Sequence, residues 1–579
     1  MSNQPSARSK IVLGLIFIGL FLIEARLFYW QILKSKSLKT QAKQQQTEQT
    51  QAQGNRGRIF TDDGQLLVGN QPCYQLQIEK QGLEISQTQL AEDLAELIQK
   101  HGLNLKFESG EKTRQEQREQ IQDEIIFALD NSSNWLTLNY LVDLEIEPEL
   151  KWKGVYLTPK LTRYYPEASM AAHITGFVGK DRSGQETGYF GIEGALDKEL
   201  TGRSEKYSFI KDALGLQLAT QKINLKNLDG RDVYLTLRRE IQFLAEEQLK
   251  KGLKQYAAQQ GEIIIMDPRT GAILALAAWP NYQQNLYDLY QTADFKNPCL
   301  SDLFEPGSTF KTLTVAAGID AGVITPTTSC TDCNGPRVIG GYTIRTWNDV
   351  YNPGITIEDA LAKSDNTAMI FVSQRLGADR MKDYLEKFGI GQKLDLDLQE
   401  DTNTPFPQKL GPVELATTSF GQGVSVNSLQ LVRAVSAIAN QGKMMKPAII
   451  KSVYDPQKDE RLDYEPEVVR QVISAQTANQ VTQMMVKAAR QGEAQWIGKN
   501  YLVAGKTGTS QIPSPDGGYK KDATIASFIG FAPPDDPKFI MLVKLVEPQT
   551  SPWAAETAAP LWFKTAQKLF LLLNITNQD

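Results

Sequence analysis

The sequence predicts a multi-domain α+β chain: a C-terminal α+β domain with β-rich runs at both ends of a helical middle, preceded by a further mixed segment and one N-terminal transmembrane helix. Three observations carry that prediction. The chain has 579 residues, and at about 150 residues per domain this makes several folding units. β-rich runs at Glu262 to Ala278 and Ala523 to Val546 bracket a helical middle, which makes residues 237–575 one α+β domain. The uncharged run Ile11 to Ile23, IVLGLIFIGLFLI, opens the chain.

From that run the apolar character continues past Glu24 and Arg26 to Leu33, long enough to span a bilayer. No small-residue cleavage site follows, and Phe28, Tyr29 and Trp30 suit an interfacial aromatic belt, so an uncleaved signal anchor is expected. Arg8 and Lys10 before the span face Lys34, Lys36, Lys39 and Lys43 after it, and the charge rule does not choose a side. Lys34 to Gln53 holds hardly any apolar residue and is expected to be a solvated stalk. Arg56 to Val68 places an Asp-Gly turn between apolar stretches, the pattern of a hairpin. Helical periodicity marks Gln87 to Lys100 and Glu111 to Leu129. Short apolar runs separated by glycines fill Tyr156 to Gly202, and a surface helix is expected over Arg238 to Tyr256. Glu262 to Ala278 is two β-rich runs around Pro268-Arg269-Thr270-Gly271, an antiparallel hairpin. A last helix is expected near Pro560 to Leu573.

Composition removes several classes of function. With 62 Lys+Arg against 67 Asp+Glu the net charge is -5, without the basic excess of nucleic-acid binders. The two histidines, His101 and His173, exclude a three-His zinc site and leave little for a Ser-His-Asp triad. Acyl-transfer or hydrolytic chemistry is therefore expected to run without histidine. His173 is expected to be a structural residue. Of the four cysteines only Cys330 and Cys333 are close, which suits a disulfide or two free thiols rather than a metal site. No cofactor and no metal are expected.

Three short elements can carry chemistry. Pro306-Gly307 starts a helix, so Ser308 falls in its first turn with Lys311 on the same face, a hydroxyl and an amine within hydrogen-bonding range. A lysine can take the serine proton if burial or a nearby cation keeps it neutral. SxxK alone is weak, because Ser208 to Lys211 repeats it and reads more simply as a capping serine with an exposed lysine. Ser364-Asp365-Asn366 lies where one helix ends and another begins, although SxN triplets also occur at Ser132 and Ser425. Lys506-Thr507-Gly508, found once in the chain, follows an apolar run and suits a strand on which glycine permits a close approach.

In this order the three elements form the set shared by β-lactamases and penicillin-binding proteins. The chain resembles the class B penicillin-binding proteins, the membrane-anchored D,D-transpeptidases that cross-link peptidoglycan. The resemblance extends through RGRIFTDDG (Arg56 to Gly64), RYYPEASMAAHITGFVG (Arg163 to Gly179), GYFGIEGALDKELTG (Gly188 to Gly202) and SFGQGVSVNSLQLVRAVSAIANQG (Ser419 to Gly442). Asp365 departs towards the β-lactamase pattern, and Arg238 stands where an acidic residue is expected.

The resemblance implies a penicillin-binding transpeptidase domain at 237–579, built as an antiparallel sheet with flanking helices, a stalk and elongated α+β dimerisation-type pedestal at 34–236, a transmembrane anchor at 11–33 and a cytoplasmic tail at 1–10. It implies that Ser308 attacks the carbonyl before a terminal D-alanine, that Lys311 is its base, that Ser364 relays a proton and that Asn366 holds Lys311 and the substrate amide. Lys506 is implied to be catalytic as well, and Thr507, Gly508, Thr509 and Asp365 to bind substrate, with Lys506 and Thr509 on its terminal carboxylate. The backbone N–H groups of Ser308 and Thr509 form the implied oxyanion hole. Implied partners are stem peptides of lipid II-derived glycan strands, β-lactam antibiotics, and a polytopic membrane glycosyltransferase with other cell-wall synthesis proteins. The implied place is the plasma membrane, single-pass, with the bulk of the chain extracytoplasmic. No glycan polymerisation is expected, because nothing before residue 237 resembles a glycosyltransferase domain. Septal division is preferred over lateral elongation on the short C-terminal end. A β-lactam-hydrolysing or β-lactam-sensing relative and a silent scaffold are the competing readings; the first needs a positioned carboxylate, and Glu414 is the nearest, unconvincing, candidate.

Overall fold

The computed structural model describes residues 7–103, 105, 113–211, 217–219, 228–401, 403–492, 501–514 and 517–575, and of 43–51, 207–211, 217–219, 492 and 522 only the backbone. Part of the expected tail at 1–10 and the side chains of Ser208 and Lys211 lie outside the described residues. The chain divides into two compact units, one of residues 1–55 with 201–230, the other of 56–200 with 231–579.

In the first unit a helix runs over Ala7–Phe28 and continues through a wider turn at Tyr29–Leu33. The 27 residues Ala7–Leu33 are long and apolar enough to cross a membrane, since about 20 residues suffice for ~30 Å of hydrocarbon. Their Leu, Ile and Phe side chains are exposed along the whole length, a surface suited to lipid rather than to water. This suggests a single-pass anchor. The expected stalk is not extended coil. Ser35–Gln46 is a helix, and Thr47–Gln53 is a strand paired antiparallel to Ser204–Lys211. A polar segment gains its ladder from a partner about 160 residues away, which its own composition cannot reveal.

The second unit holds two large sheets. The first has eight strands and contains the expected hairpin, with Ile59–Phe60 antiparallel to Leu66–Glu79. Helices Gln87–His101 and Arg114–Asn131 start at Ser86 and Thr113, each accepting a hydrogen bond from the first helical turn. They bury Leu90, Leu94, Ile98, Ile121, Ile125 and Leu129 against strand residues Leu76, Ile78, Leu138 and Val142. Asp232–Leu235 lies in this same sheet between Ile59–Phe60 and Ile450–Asp455.

The second sheet positions the site. Helix α1 (Arg239–Tyr256) leads into β1 (Gln260–Met266) and β2 (Ile273–Trp279), the expected hairpin. Helices α2 (Lys311–Asp320) and α3 (Asn366–Leu376) follow, then strands β3 (Ala504–Pro513), β4 (Tyr519–Ala532) and β5 (Phe539–Val546) and helix α4 (Ala558–Leu572). The order is β2-β1-β5-β4-β3, antiparallel throughout, with β3 at an edge. Helices cover both faces, so the strands carry continuous apolar runs such as IIIM and FIMLV. On one face Ile263, Met541 and Val543 pack with Ile241 and Leu249 of α1 and Trp562 and Phe563 of α4. Thus α1, expected as a surface helix, buries one side. On the other face Ile264, Ile540 and Leu542 join the helical core around α2, a helix buried nearly all round as its sequence KTLTVAAG requires.

Candidate active site

Ser308 sits in the tight turn Gly307–Phe310 that runs directly into α2. Gly307 has φ +55°, and a Cβ there would lie 3.0 Å from Thr509 O, so a side chain would be both strained and crowded. The turn is held by Gly307 N donating to Gly421 O at 3.0 Å and Thr309 Oγ1 to Pro306 O at 2.8 Å. On β3, a Cβ on Gly508 would meet Ser527 Oγ at 2.7 Å and Pro306 O at 2.8 Å. The two elements therefore pass at backbone contact, which places Lys506 to Thr509 beside the Ser308 turn.

Lys311 is fully buried at the head of α2. Its Nζ reaches Ser364 O at 2.6 Å, Asn366 Oδ1 at 2.7 Å and Ser364 Oγ at 3.1 Å. Burial, then the charge of Lys506, push Lys311 well below the ordinary lysine value, and Asp365 pulls the other way. A neutral amine fits the same heavy-atom geometry, giving two N–H groups to the carbonyl oxygens while the Ser364 hydroxyl donates to its lone pair. The expected direct bond between Ser308 and Lys311 is not made; the three partners from the Ser364–Asn366 loop occupy the amine instead. Ser364 adopts φ +57°, a strained backbone for a serine, which turns its carbonyl and hydroxyl towards the same nitrogen.

Asp365 has a structural role in the loop. Its carboxylate is buried and caps α3, accepting from Thr367 N at 2.8 Å, Thr367 Oγ1 at 2.6 Å and Ala368 N at 3.1 Å. Buried and holding three donors on Oδ1, this side chain shapes the loop. Asn366 Nδ2 donates to Arg345 O at 2.8 Å. Lys506, only 3% exposed, donates to Thr507 O at 3.2 Å and Thr507 Oγ1 at 3.1 Å. Thr509 Oγ1 accepts from Ala554 N at 3.1 Å.

The structure brings together Ser308, Lys311, Ser364, Asn366, Lys506, Thr507, Gly508 and Thr509, drawn from a turn, a loop and an edge strand. Several neighbours were not foreseen. Glu305 accepts from Gly423 N at 2.8 Å and Tyr519 Oη at 3.1 Å, tying the serine turn to two other elements; its only sequence signal is its place before Pro306-Gly307. Arg345, Trp347 and Trp553 have no local signal at all. Glu414 is exposed on the short helix Pro412–Thr418. His173 is buried, with Nε2 3.2 Å from Asp294 O, and burial pushes it down to about 4. Cys330 and Cys333 form a disulfide.

This site can host nucleophilic acyl transfer: a hydroxyl at the head of the helix that carries a buried amine whose charge is disfavoured, a second hydroxyl on that amine, and a cation for an anionic ligand end. Residues 261–566 match the model of the penicillin binding protein transpeptidase domain, and 51–235 that of the penicillin-binding protein dimerisation domain. Stage V sporulation protein D of Bacillus subtilis is 30% identical over 577 residues, covering 96% of this chain and 85% of that protein. The probable peptidoglycan D,D-transpeptidase PenA of Neisseria meningitidis is 28% identical over 562 residues, covering 94% and 89%. Among solved structures, penicillin binding protein 2X from Streptococcus thermophilus shares the fold with a TM-score of 0.70 at 22% identity, over 91% of this chain and 81% of that one. Penicillin binding protein 3 of Mycobacterium tuberculosis, complexed with aztreonam, does so with 0.68 at 24%, over 92% and 98%. With the catalytic and pedestal models both matched and relatives aligned along nearly the whole length, the chain belongs to the class B penicillin-binding proteins.

Proposed function

We propose that this chain is a membrane-anchored serine D,D-transpeptidase that cross-links peptidoglycan stem peptides through an acyl-enzyme on Ser308 and is acylated by β-lactams at the same atom. The observation that carries the reading is the buried Lys311 amine, held by Ser364 and Asn366 and lowered in basicity beside Lys506. In the proposed cycle Lys311 takes the Ser308 proton as Oγ attacks the carbonyl before the terminal D-alanine. The N–H groups of Ser308 and Thr509 receive the oxyanion, and Ser364 hands a proton to the leaving amine, which departs as D-alanine. Lys311 passes the proton from Ser308 on to Ser364. The amine of a neighbouring stem peptide attacks the ester and loses a proton to the now neutral Lys311, and that proton returns through Ser364 to Ser308 Oγ as the new amide leaves. Lys506 and Thr509 bind the terminal carboxylate of the donor, and Asn366 Nδ2 binds its backbone carbonyl.

The division into a pedestal at 34–236 and a catalytic domain at 237–579 belongs to the same proposal, with one qualification of geometry: strand Asp232–Leu235 and strand Ile450–Asp455 share a sheet across that limit. Contacts with a polytopic glycosyltransferase are assigned to the N-terminal helix and pedestal, and the bulk of the chain to the extracytoplasmic side.

The test is turnover by the full-length protein in detergent, given a D-Ala-D-Ala stem peptide and an amine acceptor. Release of D-alanine with a new amide-linked product supports the transpeptidase. Rapid β-lactam turnover without cross-linked product favours the hydrolase. In cells, depletion that yields filaments supports a septal role, and depletion that yields rounded cells contradicts it.

A further inference from the structure

The segment between the Cys330–Cys333 loop and α3 touches both walls of the cleft. Its root is fixed, with Cys330 N donating to Ile355 O at 2.8 Å and Gly354 N to Cys330 O at 3.2 Å. At one wall, Arg345 O accepts the Nδ2–H of Asn366 at 2.8 Å. Nδ2 is the atom the mechanism above gives to the donor's backbone carbonyl, and one of its two N–H groups is already taken by a carbonyl of the chain itself. Two residues on, Trp347 meets Trp553 edge to face, with ring centroids 5.4 Å apart and planes at 64°. Trp553 belongs to the opposite wall: the next residue, Ala554, donates its N–H to Thr509 Oγ1.

The turn carrying Trp347 supports itself. Thr346 Oγ1 donates to Val350 O at 3.1 Å, Arg345 pairs with Asp349 at 3.0 Å, and Asp349 takes a left-handed backbone with φ 53°. The two indoles stay 59% and 41% exposed, so their contact adds little to the buried core. What it does is join two walls that a substrate must enter between.

We propose that Arg345 to Trp347 form a displaceable strap across the catalytic cleft, with the Arg345 carbonyl mimicking the donor's amide carbonyl and the Trp347–Trp553 contact latching it shut. The proposal rests on the site reading above. A ligand that binds only the open cleft loses apparent affinity in proportion to the closed fraction. Breaking an edge-to-face aromatic pair raises the open fraction roughly two- to tenfold where the closed state dominates. Substrate and β-lactam would thus compete with the chain's own backbone for Asn366.

The experiment measures the second-order acylation rate of full-length protein in detergent by a fluorescent penicillin, for wild type, Trp347→Ala, Trp553→Ala, the double variant and Trp347→Phe. The expected result is acylation roughly two- to tenfold faster in each alanine variant. The double variant is no faster than the faster single, because both break one contact, and Trp347→Phe stays near wild type. Melting transitions report folding; both rings are exposed, so the variants keep the wild-type transition. Label on Ser308 at unchanged or slower rates in both alanine variants overturns the strap alone. Absence of label on Ser308 in every protein, wild type included, overturns the site reading and the strap with it.

Discussion

Lys311 Nζ lies 2.7 Å from Asn366 Oδ1, a bond between the head of α2 and the first residue of α3. It fixes the amine where two carbonyl oxygens and the Ser364 hydroxyl converge and where burial and Lys506 together disfavour its charge. The amine proposed as the base is thus positioned by the meeting of two helix starts.

Lys311→Met removes that base and lowers acylation by about 10²- to 10⁴-fold, measured as the rate of covalent penicillin labelling. In the wild type a lowered basicity means that the proton leaves at lower pH. The rate therefore climbs with pH through a value well below the usual 10.5 and falls beneath it. Lys506→Gln removes the like charge and moves that acid limb to higher pH.

Gly508→Ala forces a Cβ to within 2.8 Å of Pro306 O and 2.7 Å of Ser527 Oγ. β3 must then move away from the Ser308 turn, and a shift of about 1 Å in a catalytic group costs about 10²-fold. Labelling kinetics on protein of near-native circular dichroism check this.

Much of this architecture was legible locally. The hairpin over Glu262 to Ala278 follows from two β-rich runs around a Pro-Arg-Thr-Gly turn, and α2 from an apolar run after Pro306-Gly307. The three elements proposed to be catalytic are legible because each has its own short pattern. Pairings between distant segments left no local trace. Thr47–Gln53 finds its partner at Ser204–Lys211, and Ile450–Asp455 joins the sheet of Ile59–Phe60 through Asp232–Leu235. The triplet pattern cannot say which way the Asp365 side chain turns, and its role as a cap depends on where α3 begins. The Asn366–Arg345 and Trp347–Trp553 contacts are likewise products of tertiary folding.

A buried ion pair gives a prediction about stability. Lys544 Nζ lies 2.5 Å from Glu262 Oε1 on adjacent strands and 4.5 Å from the Phe304 ring centroid, four residues before Ser308. Lys544→Met alone leaves a buried carboxylate unpaired and costs about 3–5 kcal/mol, whereas Lys544→Met with Glu262→Leu recovers most of that loss. Thermal melting of the two variants distinguishes them, and equal losses would contradict the pairing.

His173 supplies an acid-sensitive term. Its folded value of about 4 lies below the usual 6.5, so between these limits the unfolded chain holds a proton that the folded chain does not. Stability therefore rises with pH across that window, by about 3 kcal/mol in total at 1.36 kcal/mol per unit. His173→Gln flattens this part of the melting-temperature profile from pH 4 to 7.

The most direct test of the central claim is mass-spectrometric mapping of the adduct formed by full-length protein with a fluorescent penicillin. A label on the peptide containing Ser308, stable over hours and absent from a folded Ser308→Ala variant, is the predicted result. Label at the wild-type level in Ser308→Ala, or on a different residue, would contradict the assignment of Ser308 as the nucleophile.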